Sequence, residues 1–142
     1  MQQLELAERL ARRVHDGQVD KAGEPYVGHC DRVAAKLTNE RAKTVAWLHD
    51  VLEDTEVSEA DLRQQFDGET VDAVVALTNF DGESKEDYYA RVRANDLARQ
   101  VKHADIHDNL DPMRTARLEP AKADELRVKY GKALAAVFGN EE

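Results

Sequence analysis

The run Glu40–Glu53, ERAKTVAWLHDVLE, decides how this chain is read. Val45, Ala46, Trp47, Leu48, Val51 and Leu52 leave almost no polar side from the middle of the run onward. Apolar residues all round a helical repeat predict a central helix covered by its neighbours. His49 and Asp50 sit inside this most apolar segment, and Glu53 and Asp54 follow at once.

Working outward, helical spacing continues in both directions. Upstream, Leu4, Ala7, Leu10 or Ala11, and Val14 form one stripe that ends near Gly17. A polar loop runs to Pro25, and Cys30, Val33, Ala34 and Leu37 form the next stripe, which places His29 in the first turn of a second helix. Downstream, Ser58-x-x-Asp61 has the spacing of a capping box before Leu62 and Phe66. Gly68 is expected to break that helix before Val71, Val74, Val75 and Thr78. Ser84-x-x-Asp87 offers another start, leading to Tyr88, Tyr89 and Val92. Leu97, Val101 and Ala104 mark a further helix, and Pro112 and Pro120 bracket a connection to a last stripe of Leu126, Tyr130, Leu134 and Val137. The expectation is an all-α fold of seven or eight helices forming one domain over residues 1–142. Three prolines and seven glycines are too few for the regular turns of a β-sandwich.

Charge narrows the partners. Twenty-nine acidic against twenty basic residues give a net charge of -9. That balance speaks against a nucleic-acid backbone, which is bound by clustered Lys and Arg. A small phosphorylated ligand is compatible if a cation and a few lysines share one pocket. No apolar run reaches membrane-spanning length, and a single cysteine, Cys30, suits a reducing compartment. A cytoplasmic location, with no membrane partner, is therefore expected.

The polar residues in the apolar segments carry the chemistry. Glu53 lies four residues after His49 and three after Asp50, and so shares their face. Taken alone, this segment reads equally well as a frayed helix end with solvated acids. Asp105, however, also interrupts an apolar stripe, and His29 opens another helix. His29, His49, Asp50 and Asp105 offer two imidazoles and two carboxylates from three helices. Such a mixed set suits a divalent transition metal, with Mn²⁺ favoured in an octahedral geometry. A metal there would lower the pKa of a water and neutralise charge on a phosphoryl group.

The segments Gly23-Glu-Pro-Tyr26-Val-Gly-His29, Trp47-Leu-His-Asp-Val-Leu-Glu-Asp-Thr55 and Val101-Lys-His-Ala-Asp105-x-x-x-Asn109-Leu110 resemble the HD-type hydrolase domain of RelA/SpoT-type proteins. They resemble the stand-alone small alarmone hydrolases still more. The resemblance runs from about His15 to Leu110. It implies removal of the 3′-pyrophosphate of guanosine tetra- and pentaphosphate with Mn²⁺, and some animal members also dephosphorylate NADPH. It implies His29, His49, Asp50 and Asp105 as metal ligands, with Glu53 and Asp54 as the pair that activates or orients the attacking water. Lys21 would lie near the substrate phosphates, Asn109 would contact the nucleotide, and Tyr26 and Thr55 would support the site.

This chain departs from the pattern at several places. Asp20-Lys21 stands where many members have Arg-Lys, and His103-Ala-Asp105-Ile-His107 replaces Leu-Ala-Asp-Arg-Leu. Cys30 replaces a proline. An acidic lip at Asp20 would need Arg91, Arg93, Lys102 or Arg114 to offset it. The readings beside alarmone hydrolysis are another nucleotide phosphatase, acting on nucleoside monophosphates or NADPH, and a non-catalytic nucleotide sensor. Cys30 and Trp47 read as core, and the Lys85-Glu86-Asp87 run as a solvated helix start. His15 reads as a surface or capping residue at a helix end. His103 and His107 read as packing or surface residues.

Overall fold

The computed structural model describes residues 2–139, and those residues form an all-helical fold. In order the helices are α1 (Gln3–Val14), α2 (Tyr26–Ala35), α3 (Glu40–Leu48), α4 (Val51–Asp54), α5 (Glu59–Gln65), α6 (Gly68–Leu77), α7 (Lys85–Arg93), α8 (Asp96–Asn109), α9 (Pro112–Thr115) and α10 (Pro120–Phe138). Helices α4 and α9 are single turns, which leaves eight longer ones among the described residues. No strand forms there; an isolated antiparallel bridge between Val19 and Pro25 closes the loop before α2.

Helix α3 is central, as its apolar circumference requires. It packs against α1, α2, α6 and α8, and Val45, Ala46 and Leu48 are fully buried. Each large side chain buried this way contributes about 2 kcal/mol. Trp47 is core as well, with the Arg12 guanidinium over its ring at 5.0 Å. Thr44, the polar exception, donates its hydroxyl to the Glu40 carbonyl.

The expected continuous helix over residues 40–53 is not what forms. Helix α3 stops at Leu48, His49 and Asp50 make a turn, and α4 restarts at Val51. The imidazole of His49 is the cause. Its Nδ1 donates to the Ala46 carbonyl at 2.6 Å, the oxygen that an unbroken helix would offer to the Asp50 amide. Side-chain capture of that acceptor releases the backbone.

The other boundaries follow local signals. Ser58 and Asp61 form the full capping box of α5, and Ser84 caps α7. Gly68 does not break a helix; Phe66 ends α5, Asp67 caps the next helix, and Gly68 is its first residue. Pro120 opens α10, which packs on α7 and α8. Tyr88 is buried and Tyr89 half-buried, as two neighbours on one helix must be. No helix of the described residues is long and apolar enough to cross a membrane.

Candidate metal centre

The turn at His49 and Asp50 brings two neighbouring side chains to one point. On an unbroken helix they would diverge by about 100 degrees; here His49 Nε2 lies 3.1 Å from Asp50 Oδ2. From α8, Asp105 Oδ1 approaches the same nitrogen at 3.5 Å. From the first turn of α2, His29 Nε2 meets Asp105 Oδ1 at 2.8 Å. Ligand atoms of His29, His49 and Asp105 lie within 4.8 Å of one another, and all three residues are buried. Of the four residues expected as metal ligands, His29, His49 and Asp105 thus form one cluster, and Asp50 adjoins it through His49.

Hydrogen bonding at the far side of each ring tells which nitrogen faces the centre. His49 Nδ1 faces a carbonyl and must donate, which leaves the Nε2 lone pair facing two carboxylates with no hydrogen-bond partner. His29 Nδ1 lies 2.6 Å from Asp108 Oδ2. Burial pushes the Asp108 carboxyl up, but hydrogen bonds from His29 and Arg32 and the charges of His29 and Arg114 outweigh it and hold it at about 2. Asp108 therefore accepts, His29 Nδ1 donates, and the second Nε2 also aims inward. Two imidazole nitrogens and two carboxylates converging in a buried site are costly without a cation between them. The donor set fits a divalent ion.

The two acids respond in opposite directions. Burial raises Asp50 well above the ordinary carboxylate range, and the charges of Asp105, Asp54 and Glu53 raise it further. Burial also raises Asp105, but the cationic Lys102 beside it outweighs burial and holds it well below that range. Lys102 lies 3.4 Å from Asp105 Oδ2; burial disfavours its charge, yet Asp105 and Tyr88 raise it overall. Tyr26 donates its hydroxyl to Asp50 Oδ2, and Asn109 Nδ2 donates to Asp105 Oδ1 at 3.2 Å.

These residues form one end of a cleft of about 400 Å³. Glu53 and Asp54 line it, exposed on α4. The Glu53 carboxylate is anchored by the Asn79 amide, and Gln18 Nε2 donates to the Asp54 carbonyl. Thr55 braces the same turn by donating to the Val51 carbonyl. Lys21 lies exposed on the rim. Lys85, Lys102 and Lys129 join it around the cleft. Desolvation and then the charges of Lys21, Lys85 and Lys102 push Lys129 below its ordinary value.

Several functional positions were not legible beforehand. Lys85, read as a solvated helix start, faces the cleft, and α10 supplies Leu126, Lys129, Tyr130 and Ala133 to its wall. Asp108 could have been found from its place three residues after Asp105 on α8. His15 takes the C-cap position of α1 as expected, but it is not on the surface: it is 1% exposed, with Nδ1 at 2.9 Å from Gln18 Oε1 and its ring 4.8 Å from that of Tyr26. Asp20 is not a bare acid. It accepts from the amides of Ala22 and Glu24 and from Arg114 Nη2 at 2.7 Å, so the expected offset by Arg114 is present. Arg91 and Arg93 are engaged elsewhere, by Glu83 and the Thr78 and Ala136 carbonyls. Cys30 is buried, and burial followed by the Asp105 charge pushes its thiol up to about 12, which makes it inert as a nucleophile. His107 is exposed and His103 half-buried, stacked edge-on against Phe138.

The HD domain family model matches residues 7–127. A probable guanosine-3′,5′-bis(diphosphate) 3′-pyrophosphohydrolase of Mycoplasma pneumoniae is 37% identical over 91 residues, covering 61% of this chain and 12% of that protein. A GTP pyrophosphokinase of Streptomyces coelicolor is 32% identical over 140 residues, covering 91% of this chain and 16% of that protein. The chain thus spans less than a fifth of the length of these curated relatives. A solved metazoan ortholog of SpoT, described as hydrolysing ppGpp, superposes with a TM-score of 0.77 at 24% identity, covering 98% of this chain and 87% of that one. At that identity the likeness speaks to the fold.

Proposed function

The chain belongs to the HD domain family, and from that premise we propose that it is a metal-dependent phosphohydrolase that removes the 3′-pyrophosphate of guanosine tetra- or pentaphosphate. The observation that carries the reading is the pairing of two unlike sites in one cleft. His29, His49, Asp50 and Asp105 make a cation-demanding end, and Lys21, Lys85, Lys102 and Lys129 make a polyanion-demanding wall. A substrate with phosphates at both ends of a nucleoside satisfies both. The relatives named as 3′-pyrophosphohydrolases support the same substrate.

In this proposal His29, His49, Asp50 and Asp105 hold Mn²⁺. When bound, the ion supplies Lewis acidity toward the phosphoryl oxygen and lowers the pKa of water. Glu53, fixed by the Asn79 amide, takes the proton of the attacking water on its carboxylate. Asp54 accepts a hydrogen bond from that water and orients it. Lys102 stabilises charge that builds on the phosphoryl oxygens, where a buried cation acts more strongly than an exposed one. Lys21, Lys85 and Lys129 bind the remaining phosphates, and Asn109 contacts the nucleotide. Tyr88, Tyr130 and Leu126 exclude bulk water from the cleft.

The test is product analysis after incubation with guanosine tetraphosphate and Mn²⁺, beside an Asp50→Ala control. Metal-dependent pyrophosphate release, absent in the control, is the expected result. Orthophosphate release from NADPH or from nucleoside monophosphates, with none from the tetraphosphate, would replace the substrate and keep the hydrolase. Metal-loaded, folded protein that turns over none of them would leave a nucleotide sensor.

A further inference from the structure

We propose that Asp108 is a positioning residue that fixes His29 for the metal and, through Arg114, ties the loop carrying Lys21 to the metal centre. The proposal rests on the reading of His29 as a metal ligand. Asp108 is fully buried on α8, one turn beyond Asp105. Its carboxylate is surrounded by groups that can only donate: Arg32 Nε at 2.9 Å, Arg114 Nη1 at 2.9 Å and, further off, Lys36 Nζ at 3.7 Å. An acceptor held by two guanidinium groups has one role left toward the imidazole 2.6 Å away. It accepts from Nδ1–H and leaves the Nε2 lone pair to the centre. A carboxylate in that position fixes the tautomer and ring plane and makes the nitrogen a stronger ligand. His49 has only a neutral carbonyl for the same purpose.

The same carboxylate has a second consequence. Arg114 spans two acids, with Nη1 on Asp108 and Nη2 on Asp20 at 2.7 Å. Asp20 in turn accepts from the amides of Ala22 and Glu24, at 2.9 and 3.0 Å, and so shapes the turn that carries Lys21. A continuous set of hydrogen bonds therefore runs from the His29 ring through Asp108 and Arg114 to Asp20 at the rim of the cleft. The planar guanidinium, with one nitrogen on each carboxylate, fixes the spacing between the two acids.

The test is Asp108→Asn, which keeps the shape and removes the charge. With its oxygen retained by Arg32, the Asn amide turns its NH₂ toward His29 and favours the tautomer with hydrogen on Nε2. Titration calorimetry with Mn²⁺ should show affinity weakened about 10- to 100-fold. Nitrogen-15 spectra of the metal-free imidazoles should show the His29 tautomer changed and that of His49 unchanged. Arg114→Gln keeps Asp108 and should weaken Mn²⁺ affinity in the same direction by a smaller factor, which keeps the proposal testable if Asp108→Asn does not fold. Wild-type affinity and an unaltered His29 tautomer in folded Asp108→Asn would overturn the proposal, as would wild-type affinity in Arg114→Gln. Failure of the wild-type protein itself to bind Mn²⁺ would instead overturn the metal-centre reading beneath it.

Discussion

Replacing Asp50 by Asn should stabilise the metal-free protein and abolish its response to metal. Asp50 Oδ2 and Asp105 Oδ1 lie 3.1 and 3.5 Å from the same His49 nitrogen, so they are less than about 7 Å apart. At that distance and an effective dielectric of about 20, their repulsion is about 2 kcal/mol. Asn removes this term and still accepts the Tyr26 hydroxyl. The direction of the pKa shift gives the same sign. A carboxyl raised in the folded state, here by burial and then by Asp105, Asp54 and Glu53, costs stability when ionised at neutral pH, and the cost fades as pH falls through the raised value. For a chain of this size the gain corresponds to a Tm increase of about 6 °C. Metal acts in the opposite order. Mn²⁺ at about 100 times its Kd should stabilise the wild type by about 2.7 kcal/mol, enough to carry it past the variant. Thermal melts followed by circular dichroism at pH 7, with EDTA and then with Mn²⁺, should therefore show the two proteins exchanging rank. An Asp50→Asn protein that melts below the metal-free wild type, or that gains as much from Mn²⁺, would refute the electrostatic reasoning.

Glu53→Gln should lower turnover about 10²- to 10⁴-fold, the usual worth of a general base, while calorimetry finds Mn²⁺ affinity close to wild type. Leu62→Ala removes a fully buried side chain where α5 meets α6, away from the cleft. It should cost about 2–5 kcal/mol by urea unfolding and leave kcat of the folded protein unchanged. Asp67 caps α6 and faces Arg41. Burial pushes its carboxyl up, but the Thr70 hydrogen bonds and Arg41 hold it below the ordinary value. Its contribution should be complete above about pH 4 and disappear as pH falls through the depressed value, so the stability gap between wild type and Asp67→Asn should narrow progressively below about pH 4 in urea titrations.

Much of the fold was legible because helix signals are local. The apolar circumference around Val45 and Leu48 predicted a central helix, and Ser58-x-x-Asp61 and Ser84-x-x-Asp87 marked starts that the capping hydrogen bonds bear out. The candidate ligands were legible because a charged or imidazole group in an apolar stripe must be either paired or misplaced. What the sequence could not supply was any relation that depends on where separate helices meet. The break after Leu48 comes from a side chain competing for one carbonyl, a geometric event that leaves the hydrophobic pattern of residues 40–53 unchanged. Lys85 and Lys129 lie on α7 and α10, and only the packing of those helices against each other makes them walls of the cleft that holds His49. The negative character of Asp20 was visible in the chain, whereas its neutralisation by Arg114, ninety-four residues later, was not. Composition and periodicity determine which faces must be buried; the tertiary structure decides which buried charges meet, because electrostatic partners are chosen by distance in space and not along the chain.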